Sequence, residues 1–124
     1  ALSIHYGMQG MDKDYIRHNI LDEYYPNWSG LSYADIKPNY SFDETCQQTI
    51  PAALICFLES KDYVDCLKLS IALGGDSDTL AAISGPMAYA FYKCMPEELI
   101  VNAKTKLPKW MLKLNEEFDQ YVNQ

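Results

Sequence analysis

Two stretches of this sequence have no polar side. Ala52 through Leu58 is apolar at every position, and Leu80 through Tyr92 is nearly so, with Ser84 its one polar residue before the tyrosines. A helix that is apolar all round must be covered all round. The remaining helical segments are amphipathic and too few to wrap both. The sequence therefore predicts packing against further protein, either an N-terminal half of the same polypeptide or a second chain through self-association.

Those remaining segments are read from their periodicity. Leu107, Trp110, Met111, Leu114, Phe118 and Tyr121 recur at three- and four-residue steps, which predicts an amphipathic helix lying on a core and opened by Pro108. A short helix starts at Pro96-Glu97-Glu98, where acids complement the N-terminal dipole. Ile16, Ile20 and Tyr24 line one face of a helix ending before Pro26. Residues 26–43 form a long loop with a short turn or helix around Ser32–Ile36, because Pro26, Gly30, Pro38 and Asn39 punctuate it and its aromatics have no helical period. Residues 44–59 return to helix, with Pro51 either kinking it or starting a second one. Tyr63 to Leu73 is helical up to the stop at Gly74-Gly75, and Asp78 caps a helix running to about Tyr92. No segment alternates like a strand. The class is all-α, a compact multi-helix bundle of 124 residues read as one domain: a helix over 1–25, the loop over 26–43 and a helical core over 44–124.

Composition excludes several functions. A net charge of −7 argues against binding nucleic acid or anionic membranes through a basic face. No apolar run reaches the length of a membrane span, and no secretion signal opens the chain, so the expected location is cytoplasmic. The four cysteines, Cys46, Cys56, Cys66 and Cys94, lack ligand-like spacing and read as buried free thiols. His5 and His18 have no partner at suggestive spacing, and no catalytic residue can be assigned.

Chemistry concentrates in Gly74-Gly75-Asp76-Ser77-Asp78-Thr79. Asp76 and Asp78 lie two apart at a helix entry, so both carboxylates and the Thr79 hydroxyl can converge on one point. Two such carboxylates repel unless a cation or a proton lies between them. An all-oxygen set suits magnesium or calcium better than zinc. The plainer reading makes Asp78 an N-cap and Asp76 a turn residue.

The run from Gly74 to Gly85 is similar to the C-terminal signature of the ADP-ribosylglycohydrolase family. Likeness extends over Tyr40-Ser41-Phe42-Asp43-Glu44-Thr45, Thr49-Ile50-Pro51-Ala52-Ala53, Phe57-Leu58-Glu59-Ser60 and Met95-Pro96-Glu97-Glu98-Leu99, covering about residues 38–100. The resemblance implies that Asp76, Asp78 and Thr79 ligate a pair of magnesium ions. These hold the ribose of an ADP-ribosyl group while its glycosidic bond to a protein side chain or small molecule is hydrolysed. It implies that Phe42 stacks on adenine, although an ordinary core aromatic fits that position equally. Glu44 reads as an acid complementing the next helix dipole. Ala81, Ala82 and Gly85 would let the signature helix sit tightly against a neighbour.

Three departures stand out. Pro86 should kink the signature helix or displace its end, and Tyr89 and Lys93 replace small residues. The family's other metal ligands, a Thr-Asp-Asp cluster in its N-terminal half, are not in this chain. The chain thus reads as the C-terminal half of an enzyme, inactive by itself. The alternative is a non-catalytic relative or truncated remnant, a crystallin-like structural or ADP-ribose-binding protein.

Overall fold

Helix boundaries in the computed structural model, which describes residues 1–124, follow from local chemistry. α1 spans Leu2–Met8. α2 spans Lys13–Ile16 and continues as one π-helical turn over Arg17–Asp22. Asp12 caps α2 by accepting the Tyr15 N–H at 2.7 Å. A 3₁₀ turn at Pro26–Trp28 leads to α3 (Tyr33–Ile36), closed by a capping box in which Ser32 and Asp35 satisfy each other's backbone N–H groups. Then follow α4 (Cys46–Glu59), α5 (Tyr63–Leu73), α6 (Ser77–Tyr92), α7 (Glu97–Lys106) and α8 (Lys109–Val122), with no strand. No helix is long and apolar enough to cross a membrane. The chain divides into two compact units, Ala1–Cys94 and Met95–Gln124.

In the first unit, α6 packs on α1, α4 and α5. Every residue of α4 from Pro51 to Leu58 is buried. The unit's own helices therefore suffice to cover α4, contrary to the expectation that they are too few to do so, whereas α6 is covered on part of its surface only. There Leu80, Ser84, Gly85, Met87, Ala88 and Ala90 are buried, while Ala82, Pro86 and Tyr89 face outward. Phe57, Leu54 and Ile55 anchor the core, each contributing roughly 1.5–3 kcal/mol by leaving water.

Ser84, the polar interruption of α6, is paid for by a relay. Its hydroxyl meets Ser70 Oγ at 2.7 Å, and Ser70 donates to the Cys66 carbonyl at 2.9 Å. Beside this pair Gly85 lies close to Leu67 and Tyr63 of α5, so the small-residue contact falls on Gly85, whereas Ala82 turns away from it. Gly7 allows α1 an equally close approach, since a methyl group there would sit 3.2 Å from the backbone of Phe91.

Several expectations change. α4 runs unbroken through Pro51, so that proline neither starts a second helix nor divides the first. α6 likewise runs unbroken through Pro86 to Tyr92, so the proline displaces no part of it. The carbonyl left without a helical donor by Pro86 belongs to Ala82, on the exposed side, where water can satisfy it. Tyr24 is 64% exposed and does not continue the face of Ile16 and Ile20. The π-helical turn adds a residue and turns Leu21 and Tyr25 inward instead. Cys56 and Cys66 are buried free thiols, but Cys46 and Cys94 are exposed, because each sits at a helix end rather than inside one.

An aromatic cage holds α2 to the unit. Lys13 Nζ donates to Tyr92 Oη at 2.7 Å and to the Ser60 carbonyl, and it lies 5.2–5.6 Å from the ring centroids of Tyr92, Phe57 and Phe91. The cation thus replaces its lost water with two oxygens and three ring faces.

In the second unit, Glu97 and Glu98 open α7 and Lys104 and Lys106 close it, the arrangement the helix dipole favours. α8 forms where its periodicity predicts. Neither α7 nor α8 has a buried residue.

A candidate metal centre at the start of α6

The turn between α5 and α6 is built on two glycines with positive φ, Gly74 at 89° and Gly75 at 64°. At Gly75 the demand is double. A Cβ there would lie 3.1 Å from the Ser41 carbonyl oxygen, 3.1 Å from the Tyr40 ring and 3.3 Å from Phe42 Cα. The segment Tyr40-Ser41-Phe42 is thus seated on Gly75, immediately before the acidic element. Residues more than thirty positions apart meet because this glycine has no side chain.

Asp76, not Asp78, is the N-cap of α6, and its side chain makes no capping hydrogen bond. Asp78 falls inside the first turn, so the cap expected of it does not form. The Asp78 carboxyl is held below the usual carboxylate range by the Asp76 side chain beside it and by the backbone N–H groups of Thr79 and of Asp78 itself. Asp76 is half-buried, and Asp78 and Thr79 are exposed. No group of three or more His, Cys, Asp or Glu side chains in the chain is arranged to hold a metal ion.

Phe42 is 62% exposed, so it is not the core aromatic that was one of its two readings. Tyr40 also rests on this turn, its ring 3.1 Å from a Cβ placed on Gly75. Burial raises its hydroxyl above the usual phenol range, and the charges of Asp43 and Asp76 act in the same direction. Its oxygen is buried without a hydrogen-bond partner. Only the sequence of this loop hints at it, through the aromatic pair at positions 40 and 42 flanking Ser41. Asp43 is the loop's anchor: its Oδ1 accepts the Thr45 N–H at 2.7 Å and the Thr45 hydroxyl, which lowers its pKa, while its carbonyl accepts from Thr49 at 3.1 Å. Glu44 precedes α4, whose first turn holds no acid, so the dipole role expected of it is not filled. Next to the loop lies a cavity of about 280 Å³ walled in part by Trp28, Ile36, Tyr40 and Asp43.

Chemically, the helix start offers the hard oxygen donors of Asp76, Asp78 and Thr79. Such donors suit magnesium or calcium, whose shell takes six or more oxygens, and the remaining positions would fall to water or to other groups.

Fold and site together define an all-helical protein whose helix α6 is entered through a Gly-Gly turn and two aspartates, Asp76 and Asp78. The sequence model of the ADP-ribosylglycohydrolase family matches residues 4–124, and the chain belongs to that family. Its function is accordingly of the ADP-ribosylglycohydrolase type, a hydrolase. Comparison with curated proteins and with solved structures gave no match.

Proposed function

We propose that the chain carries one side of a magnesium-dependent site for hydrolysing the glycosidic bond of ADP-ribose, attached either to a protein side chain or to a small molecule. The reading rests on Asp76 and Asp78 standing together at the start of α6, Asp76 as its N-cap and Asp78 in its first turn. Asp76, Asp78 and Thr79 would hold magnesium, in the two-ion arrangement implied by the family. The metal supplies charge neutralisation at the ribose and a positioned water. Exposed Phe42, whose backbone rests on Gly75, would provide a stacking face for adenine. Asp43 would position that face by pinning the loop to Thr45 and Thr49.

Three oxygen-bearing residues cannot complete the shells of two ions. Water would fill some of the remaining positions and donors from another polypeptide segment the rest, so the chain alone binds ADP-ribose weakly and turns over little or nothing. Calorimetric titration of ADP-ribose into the chain tests this. Binding should strengthen with magnesium, and Asp78→Asn should remove the magnesium effect. Supplying a segment with a Thr-Asp-Asp cluster should then give ADP-ribose release that chelator abolishes. Binding that is the same with magnesium and with chelator would refute the metal role. Magnesium-dependent binding without release in the completed protein would favour the alternative, a non-catalytic ADP-ribose-binding relative.

A further inference from the structure

The cavity of about 280 Å³ beside the loop of residues 40–43 joins two kinds of side chain. Trp28 and Tyr40 give it aromatic walls, and Asp35, Asn39, Asp43 and Gln48 give it polar ones. No basic residue lines it. Its volume falls just under the range of about 300–1,000 Å³ in which proteins enclose whole small ligands, so it has room for one ring and not for a nucleotide.

Each carboxylate keeps an oxygen free. Asp35 Oδ2 accepts from the backbone and hydroxyl of Ser32, and Asp43 Oδ1 accepts from those of Thr45, which leaves Asp35 Oδ1 and Asp43 Oδ2. Asn39 and Gln48 are exposed, and their amides both donate and accept. Two carboxylates without a base repel an anion. A cation would satisfy the carboxylates but offers no acceptor to the amides. A sugar ring suits both: its C–H faces pack on aromatic rings, and its hydroxyls donate to carboxylates and exchange hydrogen bonds with amides.

Tyr40 supplies an independent observation. Its hydroxyl oxygen is buried and has no hydrogen-bond partner, alone among the buried side-chain polar atoms of the chain. Elsewhere the interior hydroxyls are paired, Ser70 with Ser84 and Tyr92 with the Ser60 carbonyl. A buried hydroxyl left unpaired costs stability that phenylalanine would not cost, so the tyrosine oxygen serves a partner from outside the chain.

We propose that this cavity is a subsite for a neutral pentose ring, and that the half-buried Tyr40 ring turns to bring its hydroxyl onto the sugar. The subsite needs no metal at Asp76 and Asp78, so it stands or falls apart from the magnesium reading. Trp28 reports on the cavity, and Trp110→Phe leaves it as the one tryptophan of the full chain. In that background, with chelator present, D-ribose should change Trp28 fluorescence saturably at millimolar concentration. Ribose 5-phosphate should bind about tenfold more weakly, and methylammonium should not compete. Tyr40→Phe should weaken D-ribose binding about fivefold and raise the urea midpoint by about 0.5 M, a pair of changes that a merely structural tyrosine would not give. Competition by ADP-ribose under the same conditions would assign the pocket to a sugar of that ligand, and D-ribose binding without it would assign the pocket to a free sugar. A response that stays linear up to about 0.5 M D-ribose overturns the proposal, as does tighter binding of ribose 5-phosphate or of methylammonium. A Tyr40→Phe variant with unchanged D-ribose binding, or with a lowered urea midpoint, overturns it too, since the hydroxyl would then have no part in the sugar site or would already have its partner.

Discussion

Replacing Gly75 by alanine tests the contact on which the candidate site is built. The substitution has two separable effects. Its φ of 64° lies in the left-handed region, where a side chain costs about 1–2 kcal/mol. The new methyl would also stand 3.1 Å from the Ser41 carbonyl oxygen and 3.3 Å from Phe42 Cα, which are backbone atoms that no rotamer change can move. The loop must shift by a few tenths of an ångström, losing contacts worth on the order of 1 kcal/mol more. Gly30 isolates the first effect, since its φ is 76° and nothing lies within 4 Å of a Cβ built there. Urea denaturation of Gly75→Ala should show a loss of about 2–3 kcal/mol, against about 1–2 kcal/mol for Gly30→Ala. The first variant should also weaken magnesium-dependent ADP-ribose binding, and the second should not. Equal losses of stability would mean that residues 40–42 do not rest on Gly75, and the site described here would lose its second wall.

Further outcomes follow from the same structure. Lys13→Ala should destabilise the first unit by about 2 kcal/mol, read as a urea midpoint shift, because it removes two charge-assisted hydrogen bonds and a cation from three ring faces. A thiol reagent should label exposed Cys46 and Cys94 in the native protein, and Cys56 and Cys66 only on unfolding, since burial pushes the Cys56 thiol up to about 12. Asp35, Asp43 and Asp78 each titrate below the usual carboxylate range through bonds to Ser32, to Thr45 and with Asp76. Their contribution is complete above the unfolded-state value of about 3.9 and is lost as pH falls through the lower folded values. Urea midpoints should therefore begin to fall below about pH 4, and Asp43→Asn should flatten that fall. An unchanged slope would mean that Thr45 does not hold Asp43.

Sequence periodicity located what is local. The Gly74-Gly75 stop, the acidic opening of α7 and the stripe of α8 each follow from a few neighbouring residues, and the structure agrees. Features set by one extra residue or by distant contact were not legible. A single π-helical turn rotates Tyr24 outward, and nothing in Arg17–Asp22 marks it. Asp78 suits an N-cap by residue type, but the chain turns two residues earlier, and the side chain of Asp76 makes no capping hydrogen bond there. Phe42 and the acids could be linked only by resemblance, because their proximity depends on Gly75 meeting a loop more than thirty residues away.

Isothermal titration of magnesium into the wild-type chain, Asp76→Asn and Asp78→Asn addresses the central claim most directly. If both carboxyls are aimed at one divalent ion, the wild type should show weak saturable binding that disappears in either single variant. Binding that persists undiminished in both would place the cation elsewhere and contradict the account.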